Sequence, residues 1–516
     1  MQFFYLSQVS HSIRRPALLL AAFTGLTVIL IVLYLRLPTG FLPAEDQGAI
    51  MVQFTTPKGS PQSDTLAVGR DIVTYFETHE ADNVEAIFMV AGRNFSGNGQ
   101  NAGMAFATLS PWEQRQGDEN SAAALIQRAN QYFSSSRDAS IHVLAPPAIR
   151  GLGQSSGFEF WLQSDSNGNQ LNTLSSQLLA SASQNPTVTN LRENSLGDRS
   201  SLAIHTDQAR LGSYQLNMAD VNDTLASAWG GSYINDFTHQ GRVKRVYMQS
   251  EDAYRNNPDD LNAWYVRNDN GEMVSVGTFT QSEWSSSPQL LQRFNGTPGI
   301  SIQGNAAPGE SSGTAMETME ALTSELPGAS LSWSGLSYQE QTSSSQAGVL
   351  FLASIVFVFL CLAALYESWA LPFAIILSIP LGLVGAVMAA SIAGLNNDIY
   401  FQISLLTSIG LSTKNAILIV EFARQRMQAG IHLHRAVLEA AKLRLRPVIM
   451  TSLAFLAGIS PLIFATGAGA AGQKVIGISV AGAMASGTIL TLTFTPLLFI
   501  LVMKMAQRLR SRQLAR

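Results

Sequence analysis

The chain has 516 residues, 46% of them apolar and 13% charged, with one cysteine and a formal net charge of −4. Soluble chains usually carry about 25% charged residues, so an ordinary cytosolic enzyme is excluded. The lone Cys361 excludes an intramolecular disulfide framework and cysteine-rich zinc or iron–sulfur sites, and nothing in the charge balance points to nucleic acid.

The net charge is a cancellation. Residues 36–345 carry 17 Lys/Arg and 32 Asp/Glu, a balance of −15, while the other 206 residues carry 15 and 4, a balance of +11. Apolar runs occur only in the basic part, at about 17–35, 347–366, 371–391, 399–423, 447–466 and 474–503. Each is ~19 residues or longer, which at about 1.5 Å per residue crosses a hydrocarbon core of ~30 Å. Six spans are therefore expected. Basic residues gather at Arg14 and Arg15, in segment 424–446 (six Lys/Arg against one acid), and at Lys504, Arg508, Arg510, Arg512 and Arg516. With one crossing per run these lie on one side, the cytoplasm by the positive-inside tendency, and the acidic region is exported. A signal peptide at 17–35 is the competing reading. It is disfavoured because the run exceeds a signal core and RLPTGFLPAEDQG, without a small-x-small site, follows it.

Within the acidic region, AIMVQFT (49–55) alternates as a strand, and Ser60 as N-cap with Pro61 at N1 opens a helix over about 60–79 with Leu66, Ile72, Val73 and Phe76 inward. Strands near 84–91 and 104–110, a helix near 120–134 and a strand at 140–144 complete a β-α-β-β-α-β order, the split βαβ unit. A second unit follows: strand 157–163, helix 170–184, strand 187–192, then strand 299–304, helix 311–326 and strand 330–334, interrupted by an insertion of about 198–290.

Several catalytic-looking strings lack their context. Gly153-Gln-Ser155-Ser-Gly157 has the G-x-S-x-G spacing, but no strand precedes it and no helix follows, so it reads as a turn. Gly97-Asn-Gly99-Gln-Asn-Ala102 opens no helix and reads as a flexible loop. His432 and His434, two apart on a helix, face different ways and make no metal site. No enzyme active site emerges.

The membrane part carries the strongest local signal. Lys414, in GLSTKNAILIVEF (410–422), falls near mid-bilayer, where a lysine costs something like 2.5–3.5 kcal/mol and calls for a counter-charge or watery cavity. Snorkelling suits residues nearer a span end. Glu421 beside Arg424 reads as an interfacial ion pair, and Arg444 on its own as one more positive-inside residue. No run holds Asp or Glu near its middle, since Asp398 and Glu421 stand at the ends of the fourth and Glu367 follows the second. A partner segment is expected to supply the acid.

FLPAEDQG (41–48), GQNAGMAF (99–106), WGGSYINDF (229–237), GRVKRVY (241–247), NAAPGESSG (305–313), CLAALYESW (361–369), GLSTKNAILIVEFA (410–423) and RLRPVIMTSLAF (444–455) occur in order along the chain. Together they resemble the carboxy-terminal half, or second repeat, of inner-membrane pumps of the resistance-nodulation-division superfamily, hydrophobe/amphiphile multidrug efflux branch. The resemblance implies a bundle of six transmembrane helices with an exported α+β region of split βαβ (ferredoxin-like) porter subdomains and an inserted docking subdomain. On that plan 1–35 is the cytoplasmic N-terminus and first span, 36–147 the first porter subdomain, and 148–197 with 291–340 the second. The docking insertion is 198–290, the other five spans with a basic amphipathic segment at 424–446 occupy 341–503, and 504–516 is a basic tail.

The resemblance also implies site residues. Lys414 matches a relay lysine that pairs with two aspartates of the first repeat, which this chain lacks, and Arg444 and Thr451 match further relay members. Phe88, Phe95 and Phe106 match pocket phenylalanines, and 92–99 (GRNFSGNG) a glycine-rich switch loop. Arg93 stands where phenylalanine is common, Asn98 where an arginine can be, and His142 and Leu144 at positions often aromatic. Arg192 and Asn194 match the outer, access pocket. An apolar pocket that gains Arg and His should disfavour lipophilic cations. Without the resemblance, Phe88, Phe95 and Phe106 read more simply as core packing, Phe88 and Phe106 on strands and Phe95, in a Gly/Asn loop, with the least structural reason to be there. The implied activity is proton-driven export of amphiphilic drugs, dyes and detergents, without cofactor or metal. The implied assembly is a homotrimer with a periplasmic adaptor and an outer-membrane channel, placing residues 36–345 in the periplasm. A secretion, lipid- or metal-exporting relative, and a non-transporting membrane-anchored accessory fragment, remain alternatives.

Overall fold

The computed structural model describes residues 5, 9, 15–149, 151–154, 156–165 and 168–514, so Arg14, Ser155 and Arg516 lie outside the described residues. The chain divides into two compact units, residues 1–56, 62–195 and 292–516 in one and 57–61 with 196–291 in the other.

In the larger unit, strand alternation builds the first sheet. Strand β1 (Ala49–Thr55) turns Ile50, Val52 and Phe54 to one side, where they pack against helices α2 (Gln62–His79) and α3 (Ala122–Phe133). With β2 (Val84–Asn94), β3 (Gly97–Leu109) and β4 (Ser140–Leu144) the antiparallel order is β2-β3-β1-β4. Helix α2 starts at Gln62, one residue past the Pro61 expected at N1, and upstream of it the Ser60 N–H donates to the Pro57 carbonyl (3.1 Å). Its buried face is Thr65, Val68, Gly69, Ile72, Tyr75 and Phe76, which rotates Leu66 and Val73 to the flanks. Buried Thr65 is satisfied by the Gln100 carbonyl (2.7 Å) and the Thr56 hydroxyl (3.0 Å).

The loop expected at 92–99 is instead a hairpin tip, and Gly97–Ala102 is strand rather than flexible loop. β2 and β3 stay paired to Asn94↔Gly97 around a Phe95–Ser96 turn. Asn94 makes this possible: its Oδ1 accepts the Ser96 N–H (2.8 Å), and its Nδ2 donates to the Phe54 carbonyl (3.3 Å) and Thr55 Oγ1 (3.1 Å).

The second sheet runs β6-β7-β5-β8, from β5 (Phe158–Gln163), β6 (Val188–Glu193), β7 (Thr297–Ala306) and β8 (Ser330–Trp333), and a short fifth strand, Arg293–Phe294, pairs with the start of β7. Helices α4 (Gly168–Ser183) and α5 (Ser312–Ser324) cover one face over Phe158, Phe160, Leu162, Ile302 and Trp333.

Among the described residues, six helices or helix pairs are long and apolar enough to cross a membrane. They are α1 (Pro16–Arg36), the outer part of α6 (Gly335–Tyr366), α7 (Ala370–Ile376) with α8 (Ile379–Ile392), α9 (Ile399–Gln428), α10 (Leu433–Ile463) and α11 (Ala470–Leu514). The third is interrupted at Leu377–Ser378, since Pro380 in the first turn of α8 has no N–H to continue the ladder. The basic segment at 424–446 is not separate: it comprises the end of α9, a short link and the start of α10, which continues through Pro447. Helices α8 and α11 meet backbone to backbone, for a Cβ on Gly385 would lie 2.3 Å from the Gly482 carbonyl oxygen.

The stretch after α1 ties the sheets to the bundle. The Gly40 N–H donates to the Asn397 carbonyl, Asn397 N–H to Pro38, Ile399 N–H to Phe41, and Gly313 N–H to Thr39. One strap thus holds the N-termini of both α9 and α5.

The smaller unit pairs 198–206 with 280–288 over a core of Leu211, Val221, Leu261, Val276 and Phe279. It also contains an exposed hairpin, Ser232–His239 with Arg242–Met248.

Candidate functional site

Because β-strand side chains alternate, the face of the first sheet away from α2 and α3 is set by register. One row across it reads Phe88, Phe106, Met51, Leu144 and the next Val90, Met104, Gln53, His142. Phe95, on the hairpin turn, stands edge-on to Phe106 with ring centroids 6.3 Å apart. Phe88, Phe95, Phe106, His142 and Leu144 thus share one face, with Phe88 64% exposed at its edge and Leu144 3% exposed at the other. Arg93 and Asn98 oppose each other across the hairpin and are both exposed, at the rim rather than inside.

The second sheet carries a polar row on its face away from α4 and α5, Arg192↔Gln303↔Glu159. Gln303 is fully buried and Arg192 6% exposed. The two polar faces are joined by side-chain hydrogen bonds. Gln53 Nε2 donates to Ser96 Oγ (2.9 Å), Ser96 Oγ to Asn194 Oδ1 (2.7 Å), and Asn194 Nδ2 to Gln154 Oε1 (2.8 Å), which also accepts from Gln303 Nε2 (3.3 Å). Arg192 Nη2 donates to Gln303 Oε1.

Burial governs the charges here. His142 is pushed down to about 4, by burial first and the Arg192 charge second, so it is neutral at pH 7. Burial lowers Arg192 to about 10, against the pull of Glu159, and the guanidinium stays charged. Glu159 is raised by burial despite bonds from the Gln154 backbone and Gln303 and the charge of Arg192. Sequence reasoning missed Gln53, Ser96, Gln154 and Gln303. The available signal was Gln53 between Val52 and Phe54, a polar residue on the non-core side of a buried strand.

In the membrane part, Lys414 lies in an exposed stripe of α9 with Ile403, Thr407 and Gly410. None of the ion pairs among the described residues includes it. The guanidinium of half-buried Arg444 lies 5.0 Å from the Phe422 ring centre, and the exposed Thr451 hydroxyl donates to the Val448 carbonyl (3.1 Å). These three residues lie on adjacent helices, and among the described residues no hydrogen bond or ion pair joins them to one another. Glu421 and Arg424 approach to 4.0 Å. His432 precedes α10 and only His434 lies on it. Among the described residues no group of three or more His, Cys, Asp or Glu could hold a metal ion.

Residues 1–503 match the AcrB/AcrD/AcrF family. The chain is 46% identical over 502 residues, 96% of its length, to the multidrug/solvent efflux pump membrane transporter MepB and to the toluene efflux pump membrane transporter TtgB, both of Pseudomonas putida. It is 46% identical over 478 residues, 92% of its length, to the multidrug export protein AcrF of Escherichia coli. These alignments cover 48%, 48% and 46% of the relatives, so the chain spans about half the length of the curated relatives it matches.

Proposed function

The chain belongs to the AcrB/AcrD/AcrF family, and from that premise we propose that it forms the second repeat of a proton-driven transporter exporting amphiphilic drugs, dyes and detergents. The observation that carries the reading is the shared aromatic and polar face described above, on which phenylalanines grade within two strand registers into Gln53 and His142. An amphiphile has the same gradient. Six spans, residues 36–345 in the periplasm, two split βαβ porter subdomains and a docking insertion at 198–290 complete the plan. Partners on this reading are a first repeat, two further copies in a homotrimer, a periplasmic adaptor and an outer-membrane channel.

In the proposed mechanism Lys414 faces the first repeat and meets its aspartates, with Arg444 and Thr451 on the neighbouring helix completing the relay. The outer stripe of α9 suits that role, because a lysine facing lipid at this depth has no compensation. Protonation from the periplasm discharges the carboxylates, releases Lys414 and lets the helices shift. The strap at 38–41, bonded to both α9 and α5, supplies a path from that shift to the porter sheets. One proton at ~150 mV provides ~3.5 kcal/mol, enough to change pocket occupancy by a few hundredfold. The test is co-expression with a matching first repeat in a pump-deficient strain, scoring resistance to dyes and detergents. Resistance only with both halves is expected, and resistance from this chain without any first repeat contradicts the half-pump reading.

A further inference from the structure

The first sheet also meets the bundle at a second place, away from the strap. β3 ends at Leu109, and the chain turns through Pro111, whose carbonyl accepts the Gln114 and Arg115 N–H groups (2.9 and 3.2 Å). Arg115 fastens this turn. Its Nε donates to the Ser110 carbonyl (2.7 Å) and both Nη atoms to Asp46, which also accepts the Gly48 N–H (2.9 Å) and the Ala122 N–H at the start of α3 (2.9 Å). The Gly48 carbonyl accepts the Leu109 N–H (2.9 Å). The turn, the residues just ahead of β1 and the start of α3 thus form one block, and Trp112 stands on it.

The half-buried indole is wedged between two glycines. A Cβ on Gly48 would stand 3.3 Å from its Cζ2, and one on Gly467, in the link between α10 and α11, 3.9 Å from its Cε3. The helices at that link are packed backbone to neighbour. A Cβ on Gly477 of α11 would stand 2.9 Å from the Ile463 nitrogen at the end of α10, and one on Gly472 of α11 2.9 Å from the Tyr400 ring of α9. Elements packed this closely shift together. The indole Nε1 is buried and has no hydrogen-bond partner among the described residues, so the contact with Gly467 is packing alone. A buried N–H without an acceptor is costly. Withdrawal of the link gives that N–H to water and offsets the packing lost, which brings the seated and withdrawn arrangements close in energy.

We propose that Trp112 is a positioning residue of the transport cycle, through which displacement of α10 and α11 reaches the first sheet. The proposal rests on the efflux reading, in which Lys414 on α9 and Arg444 and Thr451 on α10 form the relay, and it adds a second joint to the strap at 38–41. Movement of the link bears on the indole, the block passes it to Gly48, and β1 carries it to Met51 and Gln53 on the aromatic and polar face. A joint whose two arrangements differ little in energy is biased from either end, by the relay or by a ligand on the sheet.

The test uses proteoliposomes holding this chain with the proposed first repeat, and ethidium as the probe. Ethidium binding is read by fluorescence anisotropy without a gradient, against empty liposomes as blank, and ethidium-stimulated proton flux by a pH dye in the lumen. Trp112→Ala should lower the stimulated flux at least fivefold while ethidium affinity stays within twofold of the wild type. Trp112→Phe, which keeps a ring between the two glycines and has no N–H, should retain both within twofold. Gly467→Asn obstructs the joint from the bundle side with a residue that tolerates the positive φ of 94° there, and should give the same split as Trp112→Ala even where that variant fails to fold. Stimulated flux within twofold of the wild type in folded Trp112→Ala or in Gly467→Asn overturns the coupling role. A parallel loss of affinity and flux in Gly467→Asn, the mark of a merely structural contact, overturns it as well. A wild type that neither binds ethidium nor responds to it overturns the efflux reading, and this joint with it.

Discussion

Glu340 offers the sharpest quantitative test of the fold. It sits on the first turns of α6, between the second sheet and the apolar part of that helix, is 7% exposed, and accepts a hydrogen bond from Ser312 Oγ (2.8 Å) at the start of α5. Burial raises its carboxyl to about 7, against the lowering effect of the Ser312 bond. A carboxyl raised from its ordinary value of 4.5 binds its proton more tightly folded than unfolded, so its stability contribution is full below about pH 4.5 and is lost as pH rises through 7. The shift corresponds to about 3 kcal/mol, and at this burial solvent screens little of it. For a cooperative unit the size of one subdomain that is on the order of 10–25 °C in melting temperature. The assay is thermal melting of the purified protein between pH 4.5 and 8.5, for the wild type and Glu340→Gln. The wild type should lose melting temperature across that window relative to the variant, which cannot titrate there. Parallel curves would refute the assignment of a protonated buried carboxyl at this joint.

Three further outcomes follow from packing. Gly103 has no room for a side chain, since a Cβ would stand 2.1 Å from Cζ of fully buried Phe54, so Gly103→Val should cost about 1–3 kcal/mol or more and be partly rescued by Phe54→Leu, read as melting temperature. Asp46 holds both Nη atoms of Arg115 (3.0 and 3.2 Å) and the Ala122 N–H (2.9 Å), while the Arg115 side chain is 1% exposed; Asp46→Ala strands that charge and should cost roughly 3–5 kcal/mol in an equilibrium unfolding measurement. Gly385→Val should separate α8 from α11 and lower the melting temperature, whereas in this chain on its own the same change at Gly410, where a Cβ meets open space, should leave it nearly unchanged.

Elements defined by their own periodicity were legible in the sequence. β1 falls on 49–55 as its alternation indicates, and the sixfold pattern of apolar runs corresponds to six long apolar helices. What escaped was set by contacts distant in sequence. Gly97, Asn98 and Gly99 look like loop by composition, yet Asn94 fastens the hairpin to the end of β1, forty residues upstream. Gly103 carried no signal in the sequence, and its constraint is the Phe54 ring. The 424–446 segment reads as a basic amphipathic stretch between two apolar runs, and what the sequence did not mark is that its second part continues as one helix past Pro447. The candidate site divides the same way. Phenylalanines could be proposed from resemblance, but the row Arg192–Gln303–Glu159 brings together residues 33 and 111 positions apart, and only strand register reveals it. Glu340 carried no signal at all within its serine- and glutamine-rich stretch, since its burial comes from α5.

The measurement that bears most directly on the proposed proton-coupled export is proton flux in proteoliposomes holding this chain with the proposed first repeat, reported by a pH dye in the lumen when an amphiphile is added under an imposed pH gradient. The account predicts amphiphile-dependent proton movement that Lys414→Ala abolishes while the protein remains inserted and melts as the wild type does. Flux that persists undiminished in Lys414→Ala would contradict it.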